Sequence, residues 1–180
     1  TQAICLDQSI APMRLPGWQE GLFAVQDVSA QLAVQALAVK SGMTVLDRCA
    51  APGGKSAQLA QSGLSKLVLL ELYENRLSKI IDLFERLQLS TENVHFETGD
   101  AALPLPEHLP QQFDAILLDA PCSATGIIRR QPDVKWHRLP KDIDHINTLQ
   151  WRLLKNAWRH LKPGGRLLYS TCSILKSENS

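Results

Sequence analysis

An α/β domain on a mostly parallel, doubly wound sheet is the fold class that three observations predict. Short apolar runs recur along the chain: Val45-Leu46, Leu67-Val68-Leu69-Leu70, Ala115-Ile116-Leu117-Leu118 and Leu167-Leu168. Their hydrophobicity is continuous rather than alternating, as in strands buried on both faces. Segments with helical spacing separate them, and strands alternating with helices imply a parallel sheet covered on both sides. The runs also end abruptly in groups suited to chemistry: Glu71, Asp119-Ala120-Pro121-Cys122, and Thr171-Cys172 after the last run. The carboxyl ends of parallel strands form the ligand-binding edge of such folds.

The elements follow in order. Residues 1–24, with Pro12, Pro16 and Gly17 and little periodicity, read as an irregular lead-in carrying at most one short strand. Residues 25–180 read as the domain proper. A helix is expected over about 29–39, stopped by Ser41-Gly42. The first strand, 44–47, runs through a turn of small residues into a helix ending near Gln61. The second strand, 67–71, precedes a helix with an apolar stripe of Leu77, Ile80, Ile81, Phe84 and Leu87. A third strand, 94–97, ends at Gly99-Asp100. A loop with Pro104, Pro106 and Pro110 leads to the fourth, 115–118. After a basic loop, Ile143, Ile146, Leu149, Leu153, Leu154, Ala157 and Leu161 mark a long helix. Lys162-Pro163-Gly164-Gly165 is expected to close it before the fifth strand, 166–170. Residues 178–180 read as the start of another helix, so a domain truncated before its C-terminal strands is expected.

Composition narrows the function classes. With 180 residues, 44% hydrophobic and 21% charged, the chain suits one globular domain with a single core. It has no apolar run of about 18 residues, so no membrane partner is expected. It also lacks a basic-then-apolar leader. The four cysteines (Cys5, Cys49, Cys122, Cys172) show no close zinc-type spacing, so free thiols, a reducing cytoplasm and no metal are expected. Net charge is only +1, but residues 127–141 hold Arg129, Arg130, Lys135, Arg138 and Lys141 against Asp133 alone. Such a patch is a local footprint for a polyanion, or else a solvated loop.

Residues 47–55 read as a strand, a tight turn and a helix start, with Gly53 and Gly54 permitting close backbone approach to a carboxylate or phosphate. The turn is neither the Gly-x-Gly-x-x-Gly fingerprint nor a phosphate-binding loop, which would need glycine where Ala50 stands. Lys55 can supplement the anion site. Glu71 ends the second strand, where doubly wound folds set an acid against ribose hydroxyls. Asp100 follows the third, within reach of an adenine amino group. Each acid alone is more often a turn residue or helix cap. Three strand ends with matching chemistry favour an adenosine-like ligand.

Three motifs in order, Asp47-Arg48-Cys49-Ala50-Ala51-Pro52-Gly53-Gly54-Lys55, Asp119-Ala120-Pro121-Cys122-Ser123-Ala124-Thr125-Gly126 and Thr171-Cys172-Ser173, resemble the RNA cytosine-C5 methyltransferase family. Val25-Gln26-Asp27-Val28-Ser29-Ala30-Gln31 and Ile128-Arg129-Arg130-Gln131-Pro132-Asp133-Val134-Lys135-Trp136 are similar to it too, and the resemblance covers about 21–180. It implies a Rossmann-like S-adenosylmethionine-dependent methyltransferase fold and S-adenosyl-L-methionine as cofactor. The implied reaction is methyl transfer to C5 of a cytosine in RNA, with 16S ribosomal RNA as the expected substrate and transfer RNA as the alternative. By that likeness Cys49, Ala50, Ala51, Pro52, Gly53, Gly54 and Lys55 wrap the methionine end. Glu71 binds ribose with Arg76 beside it, Asp100 contacts adenine, and Asp119 faces both donor and base. Glu71 departs from the family, where Asp is commoner. Larger relatives add an N-terminal helical RNA-binding domain. A cytoplasmic monomer is expected.

The chemistry needs a thiolate. Cytosine C5 is a poor nucleophile, and sulfur addition at C6 makes it enamine-like. The residues alone leave two attackers open. Pro121-Cys122 resembles the attacking motif of DNA cytosine methyltransferases, whereas the RNA family uses the cysteine of Thr-Cys-Ser. The resemblance therefore implies Cys172 as nucleophile, with Cys122 assisting release. Arg129, Arg130, Lys135 and Arg138 would hold phosphates around an extruded nucleotide, with Trp136 free to stack or to anchor. The rivals are a catalytically silent RNA-binding or ribosome-assembly factor, a nicotinamide-dependent dehydrogenase disfavoured by the missing glycine fingerprint, and an enzyme acting on DNA.

Overall fold

The computed structural model describes residues 4–179. Five strands, β1 (Thr44–Arg48), β2 (Lys66–Glu71), β3 (Val94–Thr98), β4 (Phe113–Asp119) and β5 (Leu161–Ser170), form one sheet in the order β3-β2-β1-β4-β5. Every pairing is parallel. The helices are α1 (Val28–Leu37), α2 (Gly54–Ala60), α3 (Glu74–Arg86), α4 (Val134–His137) and α5 (Pro140–Arg159).

Alternation along each strand builds two cores. Val45, Leu67, Leu69, Ala115 and Leu117 join one cluster with α1, α2 and α3, whereas Leu46, Val68, Leu70, Ile116 and Leu118 join another with α5. Successive side chains point to opposite faces, so the central positions of these strands are apolar towards both. The same alternation sends Asp47 towards the first face and Arg48 towards the second. Winding reverses at β1, which lies between β2 and β4. Asp47 thus sits beside Leu69 and Leu117, at the crevice where such sheets bind ligands.

The lead-in agrees with its irregular reading, and three other details differ from expectation. Among residues 4–27 there is a single 3-10 turn, Pro12–Arg14, and no strand; residues 1–3 lie outside the described part. The lead-in is nevertheless anchored, because Arg86 donates to the Trp18 and Phe23 carbonyls at 3.2 and 3.1 Å. Its guanidinium stacks 3.8 Å from the Trp18 ring centroid. Helix α1 stops before Ser41-Gly42, because Ala38 turns left-handed (φ 53°, ψ 46°) once Leu37 is buried. The Lys162-Pro163-Gly164-Gly165 segment lies inside β5 as an irregularity rather than closing α5. Phe113 pairs with Leu161 but Ala115 with Arg166. Gly164 takes φ +78°, and a Cβ on Gly165 would lie 2.9 Å from the Lys162 carbonyl oxygen. Lys162 Nζ ties the bulge to Asp114 at 2.8 Å. The helix expected at the end is a 3-10 turn, Lys176–Glu178. Among the described residues no helix is long and apolar enough to cross a membrane.

Candidate active site

The turn between β1 and α2 forms the floor of an open cavity of about 190 Å³. Residues 49–55 and Asp119 line it with Val25, Gln26, Asp27, Ala30 and Asp47. The backbone folds tightly here: Cys49 is left-handed (φ 60°) and Gly53 reaches φ +100°. A Cβ on Gly53 would lie 3.0 Å from Ile80 Cγ2, so glycine lets α2 close on α3. Ala50 N–H donates to the Leu70 carbonyl at 3.2 Å, fastening the turn to β2.

Asp47 is 1% exposed, and Ser56 Oγ donates to its Oδ2 at 2.6 Å. Oδ1 has no partner among the described residues. Burial pushes this carboxyl up to about 7. A buried carboxylate oxygen beside open space is a ready acceptor for a cation. Asp119 stands across the cavity with both oxygens engaged: Oδ2 pairs with Lys55 Nζ at 2.5 Å and Oδ1 accepts from Ser170 Oγ at 2.8 Å.

The remaining expected cofactor residues, Glu71, Arg76 and Asp100, are not among those lining this cavity. Glu71, 1% exposed, accepts from Ala51 N–H at 3.2 Å and pairs with Arg76 Nη1 at 3.1 Å. Arg76 Nη2 also donates to the Ala51 carbonyl at 3.3 Å, so the Glu71–Arg76 pair braces the turn from β2 and α3. Asp100 is exposed after β3, where Oδ1 accepts from Ala102 N–H at 2.7 Å. Neither acid lines the cavity.

Cys122 and Cys172, fifty positions apart, lie with their sulfurs 3.2 Å apart just beyond β4 and β5. The pair gives up its first proton easily and its second reluctantly. The Cys172 S–H hydrogen bond, helped by backbone N–H groups of Ala124 and Cys172, draws the Cys122 thiol down to about 6 against the effect of burial. Cys172 is pushed well up, because it donates to Cys122, is partly buried, and would place a second charge beside the first. Cys49, by contrast, is held up to about 12 by burial and lacks thiolate character.

The basic loop divides in two. Arg138 Nε donates to the Ser123 carbonyl at 3.0 Å, and Arg130 pairs with Asp27 at 3.1 Å. These contacts tie the loop to the thiol loop and the cavity wall. Arg129 and Lys135 are exposed, with Lys135 Nζ 5.0 Å from the ring of Trp136, which is 75% exposed. Elsewhere His95 and His108 both bond one oxygen of Glu97, at 2.9 and 3.1 Å, forming the only His/Cys/Asp/Glu group among the described residues spaced closely enough for a metal. The hydrogen bonds account for that cluster.

Sequence reasoning left Asp47, Gln26 and Glu178 out of the site. The first two lie in segments that carry the resemblance, and their signal was position in the motif. Glu178 gave no signal beyond standing five residues after Ser173.

A parallel sheet with a glycine turn at its carboxyl edge is the Rossmann-like fold of methyltransferases, and solved structures agree. NSun6 from Pyrococcus horikoshii, determined with SFG, superposes with TM-score 0.83 at 30% identity over 95% of this chain and 43% of that one. A methyltransferase homolog protein from the same organism gives 0.79 at 35% identity, covering 95% and 53%. The family model described as 16S rRNA methyltransferase RsmB/F matches residues 34–180, and the chain belongs to that family. Ribosomal RNA small subunit methyltransferase B of Vibrio cholerae is 46% identical over 178 residues, 98% of this chain and 40% of the relative. Its counterpart from Xanthomonas campestris pv. campestris is 47% identical over 178 residues, with the same coverage. The chain thus spans about 40% of the length of these curated relatives.

Proposed function

We propose that this chain is the catalytic part of an enzyme that transfers a methyl group from S-adenosylmethionine to C5 of a cytosine in RNA, with 16S ribosomal RNA as substrate. The observation that carries this reading is the 3.2 Å sulfur pair placed beside Asp119, which also lines the cavity under the glycine turn. The names of the relatives and the SFG in the archaeal neighbour support the choice of donor and substrate. Incubating the intact protein with methyl-labelled S-adenosylmethionine and transcribed 16S RNA should label cytosine alone. Label on transfer RNA or deoxycytidine instead would redirect the substrate, and no label on any of them would defeat the reading.

The residues present fit the cofactor. Asp47 Oδ1, buried and unpartnered, suits its ammonium group, and amides of residues 49–55 suit its carboxylate. The cavity of about 190 Å³ would take the methionine end. Glu71, ending β2, and Asp100, following β3, would take the ribose and adenine. Bound there, the sulfonium supplies an electrophilic methyl group. Cys122, anionic in the resting pair, accepts the Cys172 proton as the Cys172 sulfur adds to cytosine C6. After that proton escapes to solvent, Cys122 takes the proton from C5, and Cys172 then leaves with the electrons of its bond to C6. Cytosine N3 is an acceptor, so Asp119 acts there by holding the Lys55 ammonium, the proton-bearing group that would hydrogen-bond N3 while the ring accepts sulfur.

A pH dependence follows from Asp47. A raised carboxyl pKa means that its contribution to stability is full below the unfolded value and declines as pH rises to about 7. Cofactor binding needs the ionised form, so affinity should rise about tenfold per pH unit between 5 and 6.5 and level near 7. Lys55, Asp119 and Glu71 all act on this carboxyl, Lys55 favouring its ionised form and the two acids opposing it. In calorimetric titration Asp47→Asn should flatten the profile and weaken binding by about 10- to 100-fold near neutrality.

The RNA contact has its own signature. Replacing Arg129 and Arg130 by alanine should weaken binding of 16S RNA fragments and reduce the slope of log affinity against log salt by about one per lost phosphate contact. An unchanged slope in filter binding would remove these arginines from the interface.

A further inference from the structure

Sulfur separation in the Cys122–Cys172 pair is not fixed by the sheet. The last strand pairing joins Asp119 and Ser170, with Ala120 N–H donating to the Ser170 carbonyl at 2.9 Å. Both cysteines lie beyond it, on loops. There the loops share a main-chain bond, Gly126 N–H to the Cys172 carbonyl at 2.9 Å, four residues after Cys122.

We propose that Glu178 is a positioning residue that clamps the two sulfur-bearing loops in register through the serine following each cysteine. This rests on the reading of the two sulfurs as the reacting pair. Oε1 accepts from Ser123 Oγ and Ser173 Oγ, each at 2.5 Å. Oε2 accepts from Ser123 N–H and from Gln150 Nε2, each at 2.9 Å. Gln150, on α5, also donates to the Pro121 carbonyl at 2.9 Å, so the residue before Cys122 is held as well. Tyr169, at the end of β5, donates from its hydroxyl to the Glu178 carbonyl at 3.0 Å. The carboxylate is 4% exposed and meets four donors from three segments.

A carboxylate suits that place because all four groups facing it donate. A carboxylate has no proton to offer, so it can gather both hydroxyls, an amide and a backbone N–H at once. Burying the charge is costly unless every lone pair is used, and here the donors come from the parts that must be aligned. Its negative charge also opposes ionisation of Cys122, a smaller influence than the Cys172 hydrogen bond or burial.

The substitutions separate register from charge. In Glu178→Gln the amide nitrogen can donate to the serine hydroxyls, which rotate to accept, while the remaining oxygen still takes Ser123 N–H and Gln150. Register survives and the charge goes. In Glu178→Ala both are lost. The intact protein is equilibrated with glutathione buffers, so that two thiols and one oxidised glutathione give the Cys122–Cys172 disulfide and two reduced glutathione. The cross-linked peptide is then quantified by mass spectrometry. This equilibrium constant reads the effective concentration of one sulfur at the other, independently of methyl transfer. We expect Glu178→Ala to lower it at least tenfold and Glu178→Gln to stay within threefold of wild type. Glu178→Gln should also lower the pH at which iodoacetamide reacts with the pair, a change that loss of packing alone would not produce. Should Glu178→Ala fail to fold, Ser173→Ala removes one clamp arm and should lower the constant about threefold. Wild-type constants in the alanine variants would overturn the proposal. If methyl transfer survived loss of Cys172, the functional reading would fall, and the exchange equilibrium would still decide the role of Glu178.

Discussion

Cys172→Ala is expected to lower methyl transfer by about 10⁴-fold or more, while Cys122→Ala leaves the protein covalently attached to its RNA. The geometry explains why the two substitutions differ. In the resting pair the contact draws the Cys122 thiol down towards its charged form and pushes the Cys172 thiol up, 3.2 Å away. Removing Cys122 deletes that neighbouring charge, and the Cys172 thiol then falls back towards its ordinary range. Attack at C6 remains open, but the base beside the ring is gone, so the C5 proton stays and the sulfur–carbon bond persists. Removing Cys172 leaves nothing to add to C6. A denaturing gel of each variant with labelled 16S RNA distinguishes the roles: a shifted band for Cys122→Ala and none for Cys172→Ala. The opposite pattern would exchange the two assignments.

The second large effect is at Asp119. Its alanine variant should lose about 10²- to 10⁴-fold in kcat, the range of positioned acid–base groups, with a much smaller change in cofactor affinity. Asp119 ends β4 and faces both the cavity and the thiol loops, held by Lys55 on one oxygen and Ser170 on the other. Two partners fix the carboxylate's orientation and leave Lys55 as a proton-bearing bridge. Lys55→Met should then reproduce part of the kcat loss in single-turnover assays. Equal losses in cofactor affinity and kcat for Asp119→Ala would make it a binding residue and remove it from the chemistry.

Much of this arrangement was legible in the chain. Continuous apolar runs such as Leu67–Leu70 can be satisfied only by burial on both faces, and that forces a parallel sheet with helices on each side. The polar residues ending those runs must then gather along one edge. The turn at 49–55 and Asp119 therefore belong to one crevice before any coordinate is known, although they lie 64 positions apart at their contact. Less legible was the bulge in β5. Lys162-Pro163-Gly164-Gly165 has the composition of a helix stop, and only the pairing of Leu161 with Phe113 makes it part of a strand. Glu71 and Asp100 also sat at strand ends of the expected kind, yet their oxygens serve Ala51, Arg76 and Ala102. Strand position shows where a carboxylate starts, not which donors it finds.

By itself, then, the sequence determined the sheet, its two apolar faces and the edge on which the thiols and acids would collect, because periodicity and residue type act locally and leave few alternatives. Only the tertiary structure decided that Cys122 and Cys172 share a proton, that Asp47 keeps an oxygen free in a buried setting, and that Glu178 ties Ser123 to Ser173. Each of these depends on contacts between segments distant in the chain, 3.2 Å between the sulfurs and 2.5 Å at Glu178, which no local preference fixes and only packing sets.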